Sequence, residues 1–297
     1  MDGPSLNTLI TEEFTMGMQI NTNLGANNAY RNLNNTQNDL SKSLEKLSSG
    51  LRINRAADDA AGMSIATALG SQVSGLDQAG RNTQDGISVI QTADGALGQV
   101  TSILQRMRDL AVQGNNGANS VDAQDAISNE AKSLGQELAR ITDNTKFGDK
   151  DLLKGGSMII QVGANGNADD QITINLADTQ AGADLDLLSG ADNNVAGGFD
   201  ISTAVLAQGT IDSIDLALEN VSASRSDLGA VQNRLESAAK TVAIAKENLS
   251  AAQSRIQDTD MAAEMVKYTK AGILSQAGTA MLAQANQSGQ GVLQLLR

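Results

Sequence analysis

Ile214-Asp-Leu-Ala-Leu-Glu-Asn-Val221-Ser-Ala-Ser-Arg-Ser-Asp-Leu228-Gly-Ala-Val-Gln-Asn-Arg-Leu235 sets a branched aliphatic at every seventh position, and Val242, Leu249 and Ile256 continue the series. A seven-residue period held that long means a helix with one apolar seam, because about 3.5 residues per turn keeps the stripe facing a partner. The N-terminal half carries its own ladder: Leu69, Leu76, Thr83, Ile90, Leu97, Leu104 and Ala111. Each helix would run about 50 residues, or roughly 75 Å. Two seams of that length predict a mainly α chain of long antiparallel coiled-coil helices, folded back as a rod.

Composition narrows the class. Of 297 residues only 2% are aromatic, and there is no Trp. The core must therefore be thin layers of Ala, Leu, Ile and Val between helices. The single Pro, Pro4, leaves both helical halves free of their strongest breaker. A formal charge of −13 and a pI near 4.4 argue against nucleic acid and anionic membrane surfaces, which need basic patches. Cys and His are both absent, which excludes disulfides, Cys/His metal sites and the commonest general base. No apolar run approaches the roughly 20 residues that span a bilayer. The first seventeen residues do not read as a cleavable signal, since Asp2, Glu12 and Glu13 stand where a basic region would.

Three parts follow along the chain. Residues 18 to about 150 read as helical. Leu33, Leu40, Leu44, Leu47 and Leu51 have 3/4 spacing, and Ser48-Ser49-Gly50 and the polar run Asn54 to Asp59 interrupt the pattern. Asp58 or Asp59 would cap a helix starting near Ala60 and ending near Gly114-Asn115-Asn116-Gly117. A shorter helix, about Val121 to Ile141, follows. In the middle, Met158–Val162 and Gln171–Leu176 flank Gly163-Ala-Asn-Gly-Asn167, a hairpin signal over about 158–176. Residues 177 to about 210 are rich in Asp, Gly and Ala and read as a surface loop. From Thr210 the helical pattern resumes, breaks at Gln257-Asp-Thr-Asp260, and continues almost to Arg297.

No catalytic constellation emerges. Asp58-Asp59 diverge by about 100° on a helix, so a cap explains them better than an acid/base pair. Asp169-Asp170 suit a solvated turn. Gly163-Ala-Asn-Gly166 lacks the Lys and following helix of a phosphate loop. Charges beside the seams, Asp94, Arg108, Arg225 and Lys246, mark bundle edges. No cofactor is expected. The terminal segments carry Val266, Ile273, Met281, Leu293 and Leu296 among many Ala and Gly. They are too poor in large side chains to be stable alone and should order by packing on copies of themselves. A heterologous contact that does not close generates a helical polymer.

Several motifs resemble bacterial flagellin, in the order that family has them. They are Met18-Gln-Ile-Asn-Thr-Asn23, Leu47-Ser-Ser-Gly-Leu-Arg-Ile-Asn54, Asp58-Asp-Ala-Ala-Gly62, Arg81-Asn-Thr-Gln-Asp-Gly-Ile-Ser88 and Gln161-Val-Gly-Ala-Asn165. Leu228–Leu235, Ser254–Met265 and Gln290–Arg297 continue the likeness. The resemblance implies a structural subunit of the extracellular flagellar filament, with no enzymatic role. It places 18–58 and 257–297 in the inner-tube domain D0, where Leu33, Leu40, Leu44, Leu47, Val266, Ile273, Met281, Leu293 and Leu296 would serve assembly. It places 59–256 in D1, held by Leu69, Leu76, Ile90, Leu97, Leu104 and the Ile214–Ile256 series. Large outer D2 and D3 domains are expected to be missing.

The resemblance also implies unfolded export through the flagellar type III apparatus. Expected partners are copies of the chain, an export chaperone, and the filament cap and hook–filament junction proteins, with no nucleic acid or membrane. Gln105–Gln113 is similar to the D1 segment that Toll-like receptor 5 recognises. On that likeness Arg106 and Leu110 would be the main contacts, flanked by Gln105, Gln113 and Glu130. The alternative within the superfamily is a hook–filament junction protein. Residues 1–17 depart from the family, whose members begin near Met18, and read as an N-terminal extension with two explanations: a mis-assigned start, with translation beginning at Met16 or Met18, which is favoured, or an unusual acidic tail.

Overall fold

The structure is a computed structural model and describes residues 23–176 and 199–295. The extension 1–17, most of the expected loop and Leu296 lie outside the described residues, as does the side chain of Leu293. The elements are α1 (Leu24–Ser49), α2 (Ala60–Gly114), α3 (Val121–Asn144), β1 (Lys146–Phe147), β2 (Lys150–Asp151), β3 (Ser157–Gln161), a 3₁₀ turn (Ala168–Asp170), β4 (Gln171–Asn175), α4 (Ala204–Gln257) and α5 (Met261–Leu295). They form two compact units. One unites the chain's two ends, up to Ala66 and from Gln253; the other runs from Thr67 to Ala252.

Local chemistry sets the helix ends. The Asn23 side chain accepts the Ala26 N–H and caps α1. Gly50 closes it with φ 74°, returning its N–H to the Lys46 carbonyl, a left-handed stop that costs a side-chain-bearing residue about 1 kcal/mol. Asp59 Oδ1 accepts the Gly62 N–H at 2.8 Å and starts α2. Asp58 is used differently: its carboxylate accepts the Asn54 and Arg55 amides, and these bonds hold its pKa below the ordinary carboxylate value. Ser120 caps α3, which continues to Asn144, past the expected end at Ile141. Asp260 Oδ1 accepts the Ala262 and Ala263 amides at the head of α5.

In the Thr67–Ala252 unit the two seams meet. Ile90, Leu97, Leu104, Ile214, Val221, Leu228 and Leu235 are buried in one cluster, and Thr83 is buried too, its hydroxyl donating to the Ala79 carbonyl. Toward the far end the seam opens: Leu69, Leu76 and Leu249 are half-buried. Ile256, in the other unit, is also half-buried. The charges read as bundle edges pair across the helices: Lys246 with Asp77, Arg225 with Asp94, and Arg108 with Asp215. Their opposite order along α2 and α4 makes the pair antiparallel. Exposed pairs of this kind contribute about 0–1 kcal/mol each, so burial of the aliphatics dominates stability.

The hairpin lies where its pattern placed it. β3 and β4 pair antiparallel with Ile160 opposite Ile172 and Met158 opposite Ile174. Ile172 and Ile174 face the core, whereas Ile159 points outward and is 60% exposed. A second short hairpin, β1 with β2, was not anticipated. It turns at Gly148 with φ 60°, and Leu152 and Leu153 just beyond it are fully buried.

One boundary needs correction. The loop expected to reach about 210 ends earlier, because α4 begins at Ala204. Thr203 caps it, accepting the Leu206 amide on its hydroxyl and the Ala207 amide on its carbonyl. Phe199, Ile201 and Ala207 pack against Leu110, Ile127 and Ala131 in a satellite cluster. Gly114 permits this approach: a Cβ there would lie 2.5 Å from Ile201 Cδ1.

Leu235→Ala should destabilise the folded chain by about 2–5 kcal/mol. Leu249→Ala, at the open end of the seam, should cost clearly less. Denaturant unfolding of both variants checks the order.

Candidate assembly and recognition surfaces

The unit made of the two chain ends is built on different principles. α1 and α5 run close together, with Cα atoms within 8 Å along the pair, because Ala, Gly and Ser line much of the contact. Leu33 lies against Gly278, where an added Cβ would come within 3.2 Å of Leu33 Cδ1. Ala271 is buried, and Leu40 and Leu47 are half-buried. Polar bonds supply much of the rest. Asn23 Nδ2 donates to the Ala285 carbonyl at 2.9 Å, and Ser275 Oγ donates to Gln37 Oε1 at 3.3 Å.

A buried carboxylate sits in this pair. Glu264 accepts the Ser43 hydroxyl at 2.7 Å and the Lys267 ammonium at 2.9 Å, and both Glu264 and Ser43 are buried. The Ser43 hydrogen bond, helped by Lys267 and Lys46, holds the Glu264 pKa below the ordinary glutamate value. At the same end, Leu51 bridges Asp258, and Arg52 donates its guanidinium to the Ile256 carbonyl at the end of α4, where a cation complements the helix dipole.

The outer face of α5 is apolar and uncovered. Val266 is 69% exposed, Ile273 62% and Met281 64%, with Met265 and Leu274 beside them. Met265, Val266, Ile273 and Leu274 line an open groove together with Thr269 and Lys270. Leu44 on α1 is exposed as well. Helices whose large residues point outward while small ones face the partner offer a surface for further chains.

The segment Gln105–Gln113 divides. Arg106 reaches α3 and forms a two-nitrogen ion pair with Glu130. Gln105 and Gln113 are exposed beside it. Leu110 is not a surface contact: it is 1% exposed and belongs to the satellite core under Ile201 and Ala207. Val112 is the exposed aliphatic of this turn. Among the described residues, no group of His, Cys, Asp or Glu could hold a metal ion, and no helix is long and apolar enough to cross a membrane.

Comparison with known proteins agrees with this layout. The chain matches the bacterial flagellin N-terminal helical region over residues 20–157 and the bacterial flagellin C-terminal helical region over 211–296. It is 50% identical to a flagellin of Halalkalibacterium halodurans, over 94% of this chain and all of that one. The chain belongs to the bacterial flagellin family. It is also 44% identical to the flagellar filament 33 kDa core protein of Treponema phagedenis, over 94% of this chain and all of that one. A putative flagellar hook-associated protein from Vibrio parahaemolyticus shares the fold, with a TM-score of 0.57 at 14% identity over 68% of this chain and 100% of that one.

As a flagellin, the chain is a structural subunit of the extracellular flagellar filament, polymerises with itself and is not an enzyme. Val266, Ile273 and Met281, singled out in the sequence, are exposed on α5. Sequence reading missed Glu264, whose only signal was a charge on an otherwise small-residue stripe.

Because the folded pKa of Glu264 is depressed, its contribution is fully present above the ordinary glutamate pKa and is lost as pH falls from there through the lower folded value. Glu264→Gln should therefore flatten the acid dependence of α1–α5 pairing. Amide hydrogen exchange of α5, followed from neutral pH down through the carboxylate range, checks this.

Proposed function

We propose that the two units are the D0 and D1 layers of the filament and that the bare α5 face is the principal D0 assembly surface. The observation that carries this reading is the outward set Met265, Val266, Ile273, Leu274 and Met281 on one uninterrupted helix. Leu33, Leu40 and Leu47 would hold α1 to α5 within a subunit, leaving Leu44 for a neighbour. The α2–α4 seam is satisfied within one subunit and keeps D1 folded before and after assembly.

Burying one such aliphatic is worth about 1.5–3 kcal/mol. Ile273→Asp and Met281→Asp should each raise the critical concentration for filament growth by roughly tenfold or more, without moving the unfolding transition of D1. Filaments that grow normally from the double variant would overturn the assignment.

The same reading takes the subunit outward unfolded through the flagellar type III apparatus, escorted by an export chaperone, to polymerise beneath the cap and above the hook–filament junction. A chain without Cys crosses into an oxidising space with no risk of disulfide mispairing. Gln105, Arg106, Gln113 and Glu130 form the surface for Toll-like receptor 5, with the Arg106–Glu130 pair at its centre and Leu110 supporting it from below. Arg106→Ala should lower the signal of a receptor reporter by about tenfold or more, the loss expected for one charge-assisted contact of 1.5–3 kcal/mol. An unchanged signal would sink this part of the proposal.

A further inference from the structure

The chain contains two Asn–Gly steps, Asn116–Gly117 and Asn165–Gly166. Such a step has a chemistry of its own, because a glycine amide nitrogen can reach the side-chain carbonyl carbon of the preceding asparagine unhindered. The Gly nitrogen bonds to Asn Cγ, the Cγ–Nδ2 bond breaks, and ammonia leaves with the displaced proton. A five-membered succinimide remains. Water opens either of its carbonyls, giving an aspartyl or an isoaspartyl link. The net change is amide plus water to acid plus ammonia, with no oxidant or reductant.

The structure treats the two steps differently. Asn165 and Gly166 are exposed in the turn between β3 and the 3₁₀ turn, and nothing lies within 4 Å of a Cβ built on Gly166. Among the described residues no hydrogen bond holds the Gly166 amide or the Asn165 side chain. What is fixed is the Asn165 backbone: its N–H donates to Asp170 Oδ2 at 3.1 Å, and its carbonyl accepts from Gln161 Nε2 at 2.7 Å. The reacting groups can rotate together on an anchored residue. Asn116 is pinned instead. Its Oδ1 accepts the Ala118 N–H at 3.1 Å, and its backbone N–H and carbonyl are engaged by Gln113 and Asn119.

We propose that Asn165–Gly166 is a self-modification site, at which the hairpin turn acquires a carboxylate through a succinimide, whereas Asn116–Gly117 is protected by the fold. The change falls at a sensitive place. Ala164 rests on α2 at Gly75, where an added Cβ would lie 2.9 Å from Ala164 Cβ. Asp170 is tucked against Gly163 in the same turn. An isoaspartyl link lengthens the main chain at this seat, and either product sets a new negative charge beside Asp169 and Asp170.

The test incubates the full-length chain in warm, mildly alkaline buffer and follows both peptides by mass spectrometry, with fragmentation that separates aspartyl from isoaspartyl. Asn165 should convert at least about tenfold faster than Asn116, a barrier difference of about 1.4 kcal/mol. In urea the two rates should converge. Equal rates in the folded chain, faster conversion at Asn116, no conversion at either, or a difference that persists in urea would each overturn the proposal. Gly166→Ala has open space and no positive φ, so it keeps the fold and should slow conversion at Asn165; an undiminished rate would exclude the succinimide route.

Discussion

The interdigitation of two seven-residue aliphatic ladders across α2 and α4 is the constraint on which the larger unit depends. It buries Ile90, Leu97, Leu104, Ile214, Val221, Leu228 and Leu235 without a single aromatic in the buried cluster. A core this thin gains its stability by length, one layer per heptad, because each layer adds only a few aliphatic side chains. α3 and the β3–β4 hairpin then close its flanks, and Leu152 and Leu153 fill the corner between them.

The end unit inverts that solution. Where α2 and α4 are held apart by Leu and Ile on both sides, α5 turns Ala271, Ser275 and Gly278 toward α1, and Leu33 of α1 seats against Gly278. Interaxial distance follows the size of the side chains at the contact. Small residues on the inner side of α5 leave Val266, Ile273 and Met281 outside, so the same economy that brings the helices close also makes α5 adhesive. A buried Glu264 fits this arrangement: a polar group in an otherwise bland contact favours one alignment over its neighbours, at some cost in stability.

Much of this was legible in sequence because it is written locally or periodically. Asp59 and Asp260 cap helices, Gly50 ends one, and the alternation in Gln171–Asn175 gives a half-buried strand; each follows from a few adjacent residues. Leu110 and the start of α4 were misread for a shared reason. Thr203 is a good cap, yet it lies in a stretch whose Asp, Gly and Ala obscure any period. Leu110 becomes core only because Ile201 and Ala207, some ninety residues away in sequence, fold over it. Burial set by a distant segment leaves no trace in the local pattern. Glu264 was missed likewise, since its partner Ser43 lies on the other end of the chain.

The three ion pairs along α2 and α4 have a consequence that their small individual energies hide. A seven-residue ladder is degenerate: sliding one helix by a heptad returns aliphatic to aliphatic, so the seam by itself barely distinguishes the native alignment from its neighbours. The charges break the degeneracy. A slip of one heptad would set Asp94 opposite Gln232 or Leu218, Asp77 opposite Gln253 or Ala239, and Arg108 opposite Ser222 or Gln208. All three pairs would be lost at once, in either direction. The ion pairs act as a vernier, reading an offset to which the apolar scale is blind.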